Sequence, residues 1–183
     1  KPCVVNMSFG KHFGPHDGSS LFEKALASVA GEGKIIVSAA GNEGNSLVHL
    51  ESEVGQVASF AAIEPDNMAS SCVVDIWYDH SSTMEIKVQQ YYNGSFFDES
   101  VWVGNNSYKE TYFGAIKVAI YGNNYGAIDT SENNDKRFSV FIYEGDHASY
   151  EWRIGFKSIN SSVAHFDGWV TGGEFKLGSN YLV

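Results

Sequence analysis

The sequence predicts a fold in two parts, a short α/β segment followed by a mostly antiparallel β-sandwich or jelly roll. Residues 1–46 show a strand-helix-strand pattern, and the residues after Ser46 alternate apolar and polar side chains with a period of two. The composition also changes at Ser46. The first 46 residues hold four basic and four acidic side chains, so the remaining eight basic and eighteen acidic ones carry the whole net charge of −10.

The α/β segment is predicted from two apolar runs and a capped helix. Residues 4–8 form a short, largely apolar run that indicates a strand. Ser20 and Glu23 have the spacing of a capping box, and apolar side chains recur at helical spacing through residues 21–29. Residues 34–40 form a second apolar run. Continuous apolar strands joined by a helix are typical of a parallel sheet that is covered on both faces.

The second part is predicted from alternation and turn residues. Four runs show the period of two most clearly, residues 84–89, 116–120, 138–142 and 150–157. Clusters of Asn, Gly and Asp lie between these runs, and no proline after Pro65 interrupts a ladder. Roughly seven or eight such strands favour an antiparallel sandwich or jelly roll.

Composition and charge argue against several classes of function. The acidic balance argues against nucleic-acid binding, because phosphates would be repelled. No stretch approaches the ~20 apolar residues that a membrane span requires. Cys3 and Cys72 are too few for a disulfide framework, and their spacing indicates no metal site. The sequence therefore predicts neither a metal nor a cofactor.

Two motifs in the α/β segment resemble the subtilisin-like serine proteases, the subtilases. They are Val5-Asn6-Met7-Ser8-Phe9-Gly10 and Val37-Ser38-Ala39-Ala40-Gly41-Asn42-Glu43-Gly44, with the capped helix between them. In that family an Asn-Met-Ser-Leu-Gly strand, a helix and an Ala-Ala-Gly-Asn-Glu-Gly turn follow in the same order. Phe9 stands where the family commonly has Leu.

The resemblance implies that Asn42 is the catalytic oxyanion-hole residue. Attack on a peptide bond develops negative charge on the carbonyl oxygen, and a side-chain amide can donate a hydrogen bond to it. The resemblance also implies that two strand ends wall the substrate cleft, where the substrate backbone pairs as an added strand. These substrate-binding residues are Ser8, Phe9, Gly10, Ala39, Ala40 and Gly41.

The resemblance further implies that the chain is an interior segment of a bacterial protease. None of the family's Asp, His and Ser triad motifs occurs in the sequence, so we expect the chain to be inactive alone. Residues 1–46 would be part of the catalytic domain, residues 47–170 an inserted β-domain with a structural or regulatory role, and residues 171–183 a return toward the catalytic core. The expected partners are a peptide or protein substrate, a propeptide and the remainder of the catalytic domain, in a secreted or cell-envelope protein.

Two alternatives stay open at this point. The sandwich could be a carbohydrate- or protein-binding module on a pseudoprotease scaffold, with sugars stacking on exposed tryptophans, or it could have no ligand at all. The segment His12-Phe13-Gly14-Pro15-His16-Asp17 could suggest a metal or catalytic pair. Its proline and glycine predict a loop instead, so we interpret it as a substrate-edge loop without a catalytic role.

Overall fold

A computed structural model describes residues 1–10, 12–122, 134–143, 145–160 and 163–176. A strand-helix-strand unit comes first, formed by β1 (Cys3–Met7), α1 (Leu21–Val29) and β2 (Lys34–Ser38). The helix begins as predicted, because Ser20 Oγ accepts from the backbone N–H of Glu23 and the Glu23 side chain accepts from the backbone N–H of Ser20. No helix in the described part of the chain is long and apolar enough to cross a membrane.

The remaining strands alternate with turns and one short 3₁₀-helix, His147–Ser149. In chain order the strands are β3 (His49–Val54), β4 (Ser59–Pro65), β5 (Ser71–Tyr78), β6 (Met84–Tyr92), β7 (Ser95–Glu99), β8 (Val103–Gly104), β9 (Tyr108–Phe113), β10 (Ile116–Gly122), β11 (Lys136–Tyr143), β12 (Glu151–Ser158), β13 (Ala164–Thr171) and β14 (Gly173–Phe175).

These strands form two antiparallel sheets that pack face to face. Sheet I has the order β3-β13-β5-β11-β10-β9. Sheet II has the order β14-β4-β12-β6-β7, and β8 also pairs with β6. Strands that are distant in sequence are therefore neighbours, as when β12 lies between β4 and β6. The predicted antiparallel β-sandwich is confirmed.

The core lies between the two sheets and follows the alternation seen in the sequence. On β6, Met84, Ile86 and Val88 are fully buried, whereas the intervening side chains of Glu85 and Lys87 lie on the outer face. Glu85 and Lys87 form ion pairs there with residues of neighbouring strands. The same inward set continues across the sandwich in the apolar residues of β10, β11 and β12. Burial of this apolar surface is the main force that holds the sandwich together.

The assignment of this chain to the subtilases as an α/β fragment is wrong, because the structure is nearly all β-sheet with 7% helix. The two apolar runs do pair in parallel, with Val4 opposite Ile35 and Asn6 opposite Val37. This sheet has two strands, however, and none of the residues of α1 is buried. The unit therefore builds no α/β core of its own, and the fold class follows the sandwich.

Candidate functional site

The carboxyl ends of β1 and β2 lie side by side at one edge of the small sheet. The strands are parallel, Met7 pairs with Ser38, and the N–H of Ala39 donates to the carbonyl oxygen of Met7 at 3.0 Å. The two segments predicted from the sequence to bind substrate thus begin side by side, directly after Met7 and Ser38. All of these residues are solvent-exposed: Ser8, Phe9, Gly10, Ala39, Ala40 and Gly41. Their role in binding stays a prediction.

Asn42 follows β2 in a tight, exposed turn. The N–H of Asn42 donates to Glu43 Oε2 at 2.8 Å, and the N–H of Ser46 donates to the carbonyl oxygen of Glu43 at 2.9 Å. Gly41 has a φ of 90°, and a Cβ atom at this position would lie 2.8 Å from Glu43 Oε2. The Glu43 side chain could move away from such a Cβ atom, but the positive φ favours glycine at position 41, and the residue that follows, Asn42, is exposed at the surface.

An acidic cleft separates this turn from the end of the sandwich. Its volume is about 490 Å³, and its lining includes His12 and Glu43 from the first unit and Glu64, Asp66 and Glu174 from the sandwich. Lys176 partly offsets this charge, since its Nζ lies 3.3 Å from Glu64 Oε2. Across the described residues, no group of three or more His, Cys, Asp or Glu side chains could hold a metal ion. The cleft favours basic groups of a ligand over acidic ones.

A buried carboxylate connects the first unit to sheet I. Asp75 lies in the middle of β5, is 1% exposed, and faces away from the core. Its Oδ2 accepts from the N–H of Gly14 at 2.9 Å and from Trp77 Nε1 at 2.9 Å. Its Oδ1 accepts from Arg137 Nε at 2.5 Å and from Ser139 Oγ at 3.0 Å. Burial of this charge is tolerated because it accepts from four donors, one of which is the cationic guanidinium group of Arg137.

A stack of three rings lies next to this carboxylate. In the strand register His49 is opposite Trp169, and Trp169 is opposite Asp75, so the three side chains share the outer face of sheet I. The His16 ring of the loop stacks on Trp169 with ring centroids 4.3 Å apart, and His49 lies 4.8 Å from the centroid of Trp169. His49 Nε2 is also 2.8 Å from Asp167 Oδ1. Burial lowers the pKa of His16 below its ordinary value of 6.5.

Sequence reasoning missed this contact between the loop and the sandwich. The interpretation of His12–Asp17 as a substrate-edge loop considered its histidines only as candidate catalytic or metal-binding residues. A signal was present, because Asp75 is a lone carboxylate in the otherwise apolar run of residues 72–77. Such a residue in a buried strand needs a partner, and its partners come from the loop and from β11.

The tryptophans do not form an exposed platform for sugars. Trp77, Trp152 and Trp169 are all buried. Trp102 is half-buried beneath two ammonium groups, with Lys157 Nζ 4.4 Å and Lys87 Nζ 5.0 Å from its ring centroid.

The chain is structurally similar to part of a protease. The structure of the Clostridium perfringens CspB protease matches it with a TM-score of 0.75 and 26% sequence identity. The match covers 99% of this chain but 38% of that protease, so the chain spans well under half of the length of the protein it resembles. No protein-family model and no curated protein matches the chain.

Proposed function

We propose that the chain is a module of a larger serine-type endopeptidase. In this proposal the strand ends after β1 and β2 line the substrate cleft, and Asn42 donates a hydrogen bond to the oxyanion. The observation that carries the proposal is the similarity of nearly the whole chain to part of a protease. The residues that would attack the peptide bond are proposed to lie elsewhere in the protease, so the chain alone is inactive.

The chemistry assigned to Asn42 follows from its position at the end of a strand. A tetrahedral intermediate carries negative charge on the former carbonyl oxygen, and a preorganised donor stabilises that charge without moving. Asn42 is exposed next to a glycine that no side chain can replace without strain, which leaves room for a substrate carbonyl. Residues 8–10 and 39–41 offer backbone groups to an extended peptide that would bind as an added strand.

The exposed apolar surface of the first unit supports a larger assembly. Contiguous apolar surface on a protein commonly marks a site that another element covers. In this unit the apolar side chains of both strands and of the helix face solvent, which suits a parallel sheet extended by further strands and helices. The large apolar residues concerned are Val4, Val5, Phe9, Leu21, Phe22, Val29, Ile35 and Val37.

We assign the sandwich a structural or regulatory role in the same protease. It carries the whole net charge of −10, and the acidic cleft lies between it and the turn of Asn42. A propeptide or substrate with basic side chains would therefore bind there more readily than an acidic one.

The test uses the complete reading frame that contains the chain. We expect a fluorophosphonate probe to label that protein and not the 183-residue chain. In the complete protein, Asn42→Ala should lower kcat by ~10²–10³ with a smaller effect on KM, which is the loss measured for an oxyanion-hole asparagine in subtilisin. Asn45→Ala is the matched control, because Asn45 is exposed three residues away in the same segment.

Two results would contradict the proposal. A complete protein that folds but is not labelled would be a binding module on an inactive scaffold, which is the rival function. A labelled protein in which Asn42→Ala and Asn45→Ala have the same kcat would overturn the oxyanion assignment alone.

A further inference from the structure

We propose that the sandwich holds the loop that follows β1, residues 12–20, through a pH-sensitive latch, and that acid releases this loop. The loop latch consists of the hydrogen bond from Gly14 to Asp75 and the stack of His16, Trp169 and His49. The latch is a property of this chain by itself. Its consequence for catalysis rests on the proposed function.

The loop is anchored at two points that are two residues apart. Gly14 is buried and donates its N–H to Asp75, and His16 covers Trp169 with nearly parallel rings, 11° apart. The chain then leads through Ser20, which is buried and caps α1. Residues 8–10, which are predicted to bind substrate, lie just before the loop. The position of the loop therefore constrains where these residues lie.

The acceptor for the loop is preformed by the sandwich. Trp77, Arg137 and Ser139 all donate to Asp75 and all belong to sheet I, so the carboxylate is oriented without help from the loop. Gly14 then adds a fourth donor at an oxygen that already points outward. Docking of the loop thus requires the loop to become ordered while the sandwich stays unchanged.

The histidine of the stack makes the latch sensitive to pH. His16 is solvent-exposed as a residue, but its stacking on Trp169 removes part of the ring from water, and this partial desolvation disfavours the charged form and lowers the pKa of His16 in the docked state. An undocked His16 binds a proton near its ordinary pKa of 6.5. Docking is therefore fully favoured above pH 6.5 and weakens as the pH falls below it.

Several charged or titratable groups face His16 and set the size of this effect. Glu23 on α1 and Asp75 on β5 favour the protonated ring, whereas His12 in the loop opposes it by charge and favours it by a backbone hydrogen bond. Arg137 on β11 is paired with Asp75. Two further groups lie beside the same tryptophan, His49 on β3, which stacks on Trp169, and Asp167 on β13, which pairs with His49. Desolvation of His16 is the largest of the contributions and determines the sign.

Hydrogen exchange of the 183-residue chain tests the latch directly. After correction for the intrinsic pH dependence of exchange, protection of peptides covering residues 12–20 should fall between two- and about tenfold from pH 7.5 to pH 5.5. The upper bound follows because one proton changes an equilibrium by at most about tenfold per pH unit, and only the single unit from pH 6.5 to pH 5.5 lies below the ordinary pKa of His16. Peptides from β12 provide an internal reference, because that strand lies in sheet II.

Two variants separate the latch from a general effect of acid. His16→Asn removes the titrating ring but tolerates the positive φ of 59° at this position, so the loop should open at both pH values and lose its pH dependence. His165→Asn is the matched control, since His165 is exposed and pairs with Glu53 at 3.2 Å on the same sheet. It should leave the loop unchanged. Unaltered protection of β12 verifies that each variant is folded.

The proposal is overturned if loop protection in the natural chain does not change with pH, or if the pH dependence persists in His16→Asn. Both outcomes are read without protease activity, so they are independent of the result for Asn42. If the latch is observed and the complete protein is not a protease, the latch stands and its link to substrate binding fails.

Discussion

Replacing Asp75 with Asn tests how much of the stability of the sandwich depends on one buried carboxylate. The substitution keeps the size of the side chain and removes its charge. Arg137 Nε and Ser139 Oγ donate to Oδ1, while Gly14 and Trp77 donate to Oδ2. An asparagine retains one acceptor oxygen, and its amide nitrogen would face two donors wherever it is placed.

The expected loss can be worked from these contacts. Removing one partner of a buried ion pair costs about 3–5 kcal/mol, because the remaining charge stays buried without compensation. The side chain of Arg137 is 16% exposed and that of Asp75 is 1% exposed, so water can reach part of the guanidinium group. We therefore expect Asp75→Asn to lower the free energy of unfolding by about 3 kcal/mol, the lower end of that range.

Urea unfolding followed by tryptophan fluorescence measures this loss. The matched control is Glu99→Gln, which breaks the ion pair between Glu99 and Lys87. The carboxylate side chain of Glu99 is 40% exposed. That pair is screened by solvent, so the control should lose less than about 1 kcal/mol. If Asp75→Asn and Glu99→Gln lose the same amount at equal m-values, the argument from the buried network is wrong.

Two further predictions concern the thiols and two glycines. Iodoacetamide should alkylate exposed Cys3 in the native chain and spare Cys72, because burial raises the pKa of the Cys72 thiol to about 12. Intact-mass measurement counts the adducts, and two adducts before unfolding would contradict this expectation. Gly114→Ala and Gly172→Ala both place a side chain at positive φ, which costs about 1 kcal/mol, but only at position 172 would the new Cβ also collide with the carbonyl oxygen of Ser71. We expect Gly172→Ala to lose a further ~1–3 kcal/mol in urea unfolding, and equal losses for the two variants would disprove the collision.

The strands were predictable from sequence because their signal is local. Alternation along β6 follows directly from the period of two in a strand, and its apolar residues are the ones that are buried. The order of the strands has no local signal. Residues of β12 pair with β4, about ninety positions earlier, and also with β6. No spacing within either segment indicates that pairing.

The α/β assignment failed for a physical reason. Two continuous apolar runs predict a sheet covered on both faces, and the parallel pairing that this implies does form between β1 and β2. The covering layers were inferred from the pattern and are not formed by the described residues. Adjacency of residues 8–10 and 39–42 was predictable from parallel pairing alone. The docking of the loop was not, because it depends on Asp75 and Trp169, which lie in strands far along the chain.

The stability of the first unit links the apolar surface to the latch. A helix of nine residues is marginal by itself, and a two-stranded sheet without a packed face is also marginal. The N–H of Gly14 and the ring of His16 fasten this unit to a carboxylate and a tryptophan of a well-packed sandwich. If the chain is a module of a protease, as proposed, contact of the rest of that protein with the exposed apolar residues would stabilise the same unit further. Docking of the loop on the sandwich and binding of the remaining domain would each order the first unit. Whichever occurs first would lower the entropy cost of the other, so the two would be cooperative.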